Sequence, residues 1–207
     1  ESPLALDDSH LCVSRSTVRF YLIKDLAETM CQSVLSFWFE EIEPSSWFVK
    51  DSDFDALIQG RFASLHRQAN AGELYTWRSS PEGRLAEIIV LDQFSRNMYR
   101  DTPAAFASDT LALVLAQEAI ACRADLALEP TERSFLYMPF MHSESRAIHE
   151  VALSLYSQKG LERNLEFEKR HKEIIDRFGR YPHRNQILGR ESSQPELAFL
   201  EQPGSSF

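Results

Sequence analysis

The residues able to do chemistry in this sequence are ionisable groups placed where helical spacing asks for apolar ones. After Pro81, Leu85, Ile88 and Ile89 set an inward direction, and at about 100° per residue Asp92 and Arg96 point the same way. They are one turn apart with the acid first, so they can pair. Removing one partner from such a buried pair typically costs about 3–5 kcal/mol. The planar fork of Arg96 also matches a carboxylate or phosphate. Asn97 and Arg100 follow at the helix end. The segment therefore reads either as a structural ion pair that fixes helix packing or as a ligand clamp.

Other positions repeat the pattern. His171 lies on the stripe Phe167, Ile174 and Phe178, either as a satisfied core histidine or as a ligand group. Asp109 shares a flank with Phe106 and Leu113. The run from Tyr137 to Glu144 puts a proline break, a His and a Glu at a helix N-terminus. Ser143 reads as the cap and Glu144 as a charge against the helix dipole, whereas His142 has no such structural role. The run from Phe178 through Arg180, His183, Arg184 and Asn185 to Arg190 is a cation-rich loop in an acidic protein. Loops tolerate variation, so that density of polar groups points to a site.

Standard catalytic templates are absent. His149-Glu150 is followed by Val-Ala-Leu, which gives no second metal-binding His, and no GxSxG, P-loop or GxGxxG string occurs. His142, Glu144 and His171 could together hold a metal, but nothing in their spacing demands one. No metal and no cofactor is expected.

The formal net charge is −9, the reverse of the basic footprint that duplex DNA demands, so nucleic acid is disfavoured. Three scattered cysteines, Cys12, Cys31 and Cys122, give neither a CxxC pair nor a disulfide framework, which suits a cytoplasmic setting. No stretch reaches the roughly 18 uninterrupted apolar residues of a membrane span. The N-terminus lacks the basic-then-apolar order of a secretion signal. Oligomeric state is not written in these features.

Apolar residues recur at three and four, never in sustained alternation, so the chain reads as all-α. One stripe is Leu26, Met30, Val34, Trp38 and Ile42; the next is Phe54, Leu57, Ile58, Phe62, Leu65 and Ala69, opened by a capping box from Ser52 to Asp55 and closed near Gly72. Ser80-Pro81 starts a third helix, and Thr102-Pro103 a long one reaching to about Ala124. A shorter helix is expected from Thr131 to before Pro139. Ser143 should cap another, with Ile148, Val151, Ala152 and Leu155 inward and an end at Gly160. Asn164 should start one ending at Gly179, and Ser193-x-x-Glu196 a last short one. About seven or eight helices result, a bundle or short solenoid without a repeat signature in its residues. Residues 30–207 read as one helical domain, and 1–29 as an extension.

Four strings resemble one family in order. Val34-Leu35-Ser36-Phe37-Trp38-Phe39, with Trp47-Phe48 and Asp53-Phe54-Asp55, resembles the opening of the domain-of-unknown-function 924 family. Leu91-Asp92-Gln93-Phe94-Ser95-Arg96-Asn97-Met98-Tyr99-Arg100 resembles its central motif. Tyr137-Met138-Pro139-Phe140 with His142-Ser143-Glu144, and Arg177 to Asn185 with Leu188-Gly189-Arg190, resemble its later ones. The resemblance spans about Val34 to Leu200. It implies a tetratricopeptide-like helical array and recurrent residues at Asp92, Arg96, Asn97, Arg100, His142, Glu144, Arg180, His183, Arg184 and Asn185. It implies no activity. Ser95 departs from the family, where Pro is usual.

Two functions follow as expectations. One is an adaptor whose groove binds a protein or peptide segment through Asn and Arg clamps. The other is a binder or enzyme of a small anionic metabolite. There Arg96, Arg100 and Arg184 hold the anion, His142 or His183 carries a proton, and Glu144 or Asp92 orients it.

Overall fold

A computed structural model describes residues 28–205. Cys12, Leu26 and the Asp7-Asp8-Ser9-His10 string lie outside the described residues, as does the rest of the expected extension except positions 28 and 29, which begin the first helix. Among the described residues there is no strand, and the chain is all-α.

Helix α1 (28–36) runs into a π turn, Phe37–Glu41. Its stripe buries Val34, Phe37 and Trp38, and the Trp38 ring meets Phe94 and Phe135 edge-on at 5.6 Å each. Helix α2 is Ser52–Asn70. Asp51, not the expected Ser52–Asp55 box, caps it by accepting the N–H groups of Asp53 and Phe54. Asp55 is thereby released for another task, described below. The chain then turns at Gly72, whose φ of 72° suits glycine.

Helix α3 (Pro81–Ile89), a π turn (Val90–Phe94) and helix α4 (Ser95–Met98) form one continuous rod. Ser80 caps it as expected, accepting from the Gly83 N–H. Every residue from 85 to 95 is buried, because α2, α5 and α6 surround the rod. Its start demands glycine: a Cβ on Gly83 would lie 2.0 Å from the Trp77 carbonyl oxygen. Overpacking of that kind costs about 1–3 kcal/mol.

The long helix expected after Pro103 divides into a 3-10 turn, Pro103–Phe106, and α5, Asp109–Ala121. The division sets Asp109 in the first turn of α5, where the helix dipole favours an anion. By length and composition Pro103–Ala121 could cross a membrane. As folded, α5 is about 20 Å long, short of a roughly 30 Å hydrocarbon layer, and it packs on α3 and α6.

Helix α6 (Pro130–Met141) passes through Pro139 instead of stopping before it. Pro139 is two residues from the end, so little helix is left for it to disrupt. Helix α7 is Arg146–Tyr156 with Ser145 at its N-cap, and Ser143 instead accepts the Ser145 N–H. The buried face of α7 is His149, Ala152 and Tyr156, while Val151 is exposed. Helix α8 (Glu162–Phe178) buries Glu168, His171, Ile174 and Ile175 and ends at Gly179 in the left-handed conformation, as expected. Phe167 is exposed. The capping box of Ser193 and Glu196 opens α9, Gln194–Leu200.

Candidate functional site

Asp92 lies on the π turn, with the whole residue inaccessible to solvent. Its Oδ2 accepts from the Gln93 amide at 2.6 Å, and its Oδ1 meets His142 Nδ1 at 2.8 Å and Arg96 Nη1 at 3.1 Å. A buried carboxyl alone would stay protonated. Burial does push that way here, but the charge of Arg96 and the contacts of His142 and Gln93 outweigh it and hold Asp92 down at about 2. Since a carboxylate can only accept, His142 donates through Nδ1–H, which leaves its Nε2 with a lone pair. Burial, then the charge of Arg96, keeps His142 below its ordinary value and therefore neutral at pH 7.

Arg96 is the hinge of the cluster. Besides Asp92 it makes a fork-to-fork pair with Asp109, Nη1 to Oδ1 at 2.9 Å and Nη2 to Oδ2 at 3.1 Å. Burial opposes its charge, and the two carboxylates more than restore it. The second arginine, Arg184, comes from the 3-10 turn Pro182–Arg184 and is 6% exposed. Its guanidinium lies 4.6 Å from the ring centres of both Phe106 and Tyr181. Among the described residues its side chain makes one hydrogen bond, a long 3.4 Å contact from Nη1 to Asp109, and its buried Nε makes none. Burial and then the neighbouring Arg96 pull its pKa down. Two arginines thus share one Asp109.

A second network holds the loop that delivers Arg184. Glu144 takes the Tyr181 N–H at 2.8 Å and a two-pronged contact from Arg190 at 2.6 and 2.9 Å. Arg190 also reaches Asn185 Oδ1 at 3.0 Å. Asn185 in turn donates to Glu196, which pairs with Arg180 at 2.7 and 2.8 Å. Glu144 is therefore a loop clamp, not the dipole charge expected. His183 follows Pro182, and its ring centre is 5.5 Å from that of Tyr181. Burial and the charge of Arg184 lower its pKa to about 4. Pro182, His183, Gln186, Arg190, Ser192, Leu197 and Leu200 line a cleft of about 500 Å³ beside this loop.

The structure gathers Asp92, Arg96, His142 and Arg184 at one centre and puts Glu144, Arg180, His183, Asn185 and Arg190 around it. Asn97 and Arg100 do not join. Both turn to Asp55 on α2, Asn97 at 2.9 Å and Arg100 at 2.6 and 2.7 Å. His171 donates to the Phe167 carbonyl and lies with its ring centre 5.8 Å from that of Tyr181. It is buried packing, with its pKa lowered by burial to about 3. No group of three or more metal-ligating side chains occurs among the described residues.

Sequence reasoning missed a buried pair. His149 Nδ1 meets Glu168 Oε1 at 2.7 Å, with both side chains inaccessible, and His149 Nε2 is 2.8 Å from the Ser143 carbonyl. Burial raises the Glu168 pKa. The spacing of His149 with Ala152 and Tyr156, at three and seven, was the available signal. Gln93 and Tyr181 were also passed over, although both lay inside the strings singled out.

Residues 34–204 match the model of a family described as bacterial protein of unknown function, DUF924. The chain belongs to this family. A solved structure of a protein of unknown function from Agrobacterium tumefaciens is 38% identical, with a TM-score of 0.81 over 84% of this chain and 98% of that one. No curated protein matches. Within this DUF924 member, the central motif supplies Asp92 and Arg96, and the later motifs supply His142, Glu144 and Arg184.

The two arginines should behave oppositely on mutation. Arg96→Met strands two carboxylates and should cost about 3–5 kcal/mol in urea unfolding. Arg184→Met removes an ill-paired buried cation and should leave stability within about 1 kcal/mol of the parent, or raise it. Equal losses from both would show Arg184 to be a structural ion. Stability should also fall with acid. His171 and His183 resist protonation when folded but accept it near pH 6.5 when unfolded, so the unfolded state binds more protons as the pH drops from about 6.5 toward 4. The two together give a slope of up to about 2.7 kcal/mol per pH unit. Asp92, held at about 2, adds its own loss only below its ordinary 3.8. A flat unfolding free energy from pH 7 to 5 would contradict this account.

Proposed function

We propose that this protein binds a small anion, a carboxylate or a phosphate, at the Arg96–Arg184 centre. The observation that carries this reading is the Arg184 guanidinium, buried against two rings with its Nε unmatched. Burying an ion costs several kcal/mol. A chain that meets every need of Arg96 and leaves Arg184 short has reserved that edge for something else. Stability given up at one position in this way is a common feature of binding sites.

The expectation of an adaptor for a peptide segment rests on a tetratricopeptide-like arrangement of the helices. What favours a small ligand over such a peptide is the scale of the site, a single buried arginine edge, whereas a peptide needs a long groove. The net charge of −9 continues to argue against nucleic acid as a partner. The free thiols Cys31 and Cys122 suit a reducing cytoplasmic setting.

A second reading, an enzyme, is favoured by one observation. Asp92 orients His142 so that Nε2 keeps its lone pair, the arrangement of a general base beside a held anion. If so, His142→Gln should abolish turnover of any ligand found while leaving its affinity nearly unchanged. Undiminished turnover would reject that role.

The binding proposal is tested by thermal shift in acetate and in inorganic phosphate. An anion at about 100 times its Kd adds about 2.7 kcal/mol of stability. The parent protein should be stabilised and Arg184→Met should not be. A parent that responds to neither anion, or a variant that responds equally, would end the proposal.

A further inference from the structure

Arg163, Arg170 and Arg177 follow one another at heptad intervals on α8, and all three are exposed. A heptad step turns an α-helix by only about 20° and advances it by about 10 Å, so they form one row along the helix. Phe167 lies beside that row, one turn from both Arg163 and Arg170, and is 38% exposed. Its ring centre is 5.9 Å from the Arg163 guanidinium and 5.7 Å from that of Arg170. Arg177 rests on Phe178 and Phe199 at 4.6 and 5.8 Å. We propose that this edge of α8 docks an acidic amphipathic helix of a partner protein, its carboxylates on the arginine row and an apolar side chain on Phe167. The proposal concerns a different surface from the Arg96–Arg184 centre and does not depend on it.

The fold does not consume these cations. The buried residues of α8 are Glu168, His171, Ile174 and Ile175, and the arginines take no part in burying them. Among the described residues, none of the three guanidinium groups makes an ion pair or a hydrogen bond. The neighbouring acids are engaged elsewhere. Glu166 pairs with Lys169 at 2.6 Å, Asp176 with Lys172 at 2.6 Å, and Glu162 accepts the Gly160 N–H at 3.0 Å. That leaves Glu173 against three cations. The lysines of α8 are therefore its paired cations and the arginines its open ones, in a chain of net charge −9. A guanidinium stacked on a ring still presents its N–H edge to a carboxylate.

Spacing and the exposed ring select the partner. Arg163, Phe167 and Arg170 fall at i, i+4 and i+7, the pattern by which one helix meets another. The heptad interval is also the interval at which a second helix repeats a side chain on the face it presents. Duplex DNA carries one charge per roughly 1.7 Å, would extend beyond the row over a net acidic protein, and offers Phe167 no apolar counterpart. An anionic bilayer brings the same excess of charge, and one exposed ring gives it little to bury.

The test follows a fluorescein-labelled helical peptide of about 18 residues by fluorescence anisotropy at low salt. The peptide carries Glu at heptad intervals with Leu one turn after each. It should bind saturably, and raising the salt from about 0.05 to about 0.5 M should weaken it about fivefold or more. Arg163→Glu combined with Arg170→Glu should weaken binding about tenfold or more. Phe167→Ser should weaken it about fivefold. Both variants should unfold at the parent's temperature, because the changes are at exposed positions. Arg184→Met should bind the peptide as the parent does. No binding of the heptad peptide would overturn the proposal. So would equal binding by the double arginine variant, or of a peptide of the same composition with its Glu moved off the heptad positions. Tighter binding of phosphatidylserine vesicles or of a DNA duplex than of the peptide would also overturn it, and would assign this edge to that surface.

Discussion

Arg96 cannot remain charged in this interior unless two carboxylates reach it, and satisfying that one cation fixes much of the architecture. Asp92 comes from the π turn of the central rod, and Asp109 from the first turn of α5. His142, at the end of α6, meets the same Asp92 oxygen as Arg96 does. Each partner arrives on a different element, and each element is held in register because an unpaired ion there would cost several kcal/mol. The division of the chain between Phe106 and Asp109 belongs to the same constraint. It sets the carboxylate at a helix N-terminus and leaves the Phe106 ring under Arg184.

Around that centre a lattice of charge-assisted hydrogen bonds stiffens a loop whose composition alone would leave it mobile. Glu144 grips the Tyr181 backbone and Arg190, Asn185 links Arg190 to Glu196, and Arg180 locks Glu196. The two Arg–Glu pairs among them are short and two-pronged, the geometry that gives ion pairs their worth. Their effect is to present Arg184 already oriented.

The helical class was plain from spacing, and so was the inward direction of Asp92 and Arg96, because period and burial are tightly coupled in a helix. Boundaries were less legible. Ser52 and Ser143 had the right residue type for caps, but Asp51 and Ser145 lay as close to the starts and won by geometry. Pro139 and the break before Asp109 were set by packing and ion pairing, which local propensity does not encode. On α7 and α8, Ala152, His171, Ile174 and Ile175 face inward as expected, but exposed Val151 and Phe167 took the places that His149 and Glu168 fill. Asn97 and Arg100 shared the central motif, yet both turn to Asp55 on α2, Asn97 by the step of about 100° from Arg96 and Arg100 because the helix ends at Met98. Proximity in sequence identified the motif without dividing its residues between two jobs.

The contact of Arg184 with Asp109 spans 75 residues. Most of the polar centre, from Asp92 to His142, is synthesised before Arg184, which arrives with the Pro182–Arg184 turn. Domains are generally made and folded from the N-terminus onward. The Arg184–Asp109 contact therefore forms only after the rest of the polar centre has been made, and it draws the later turn onto helices already in place.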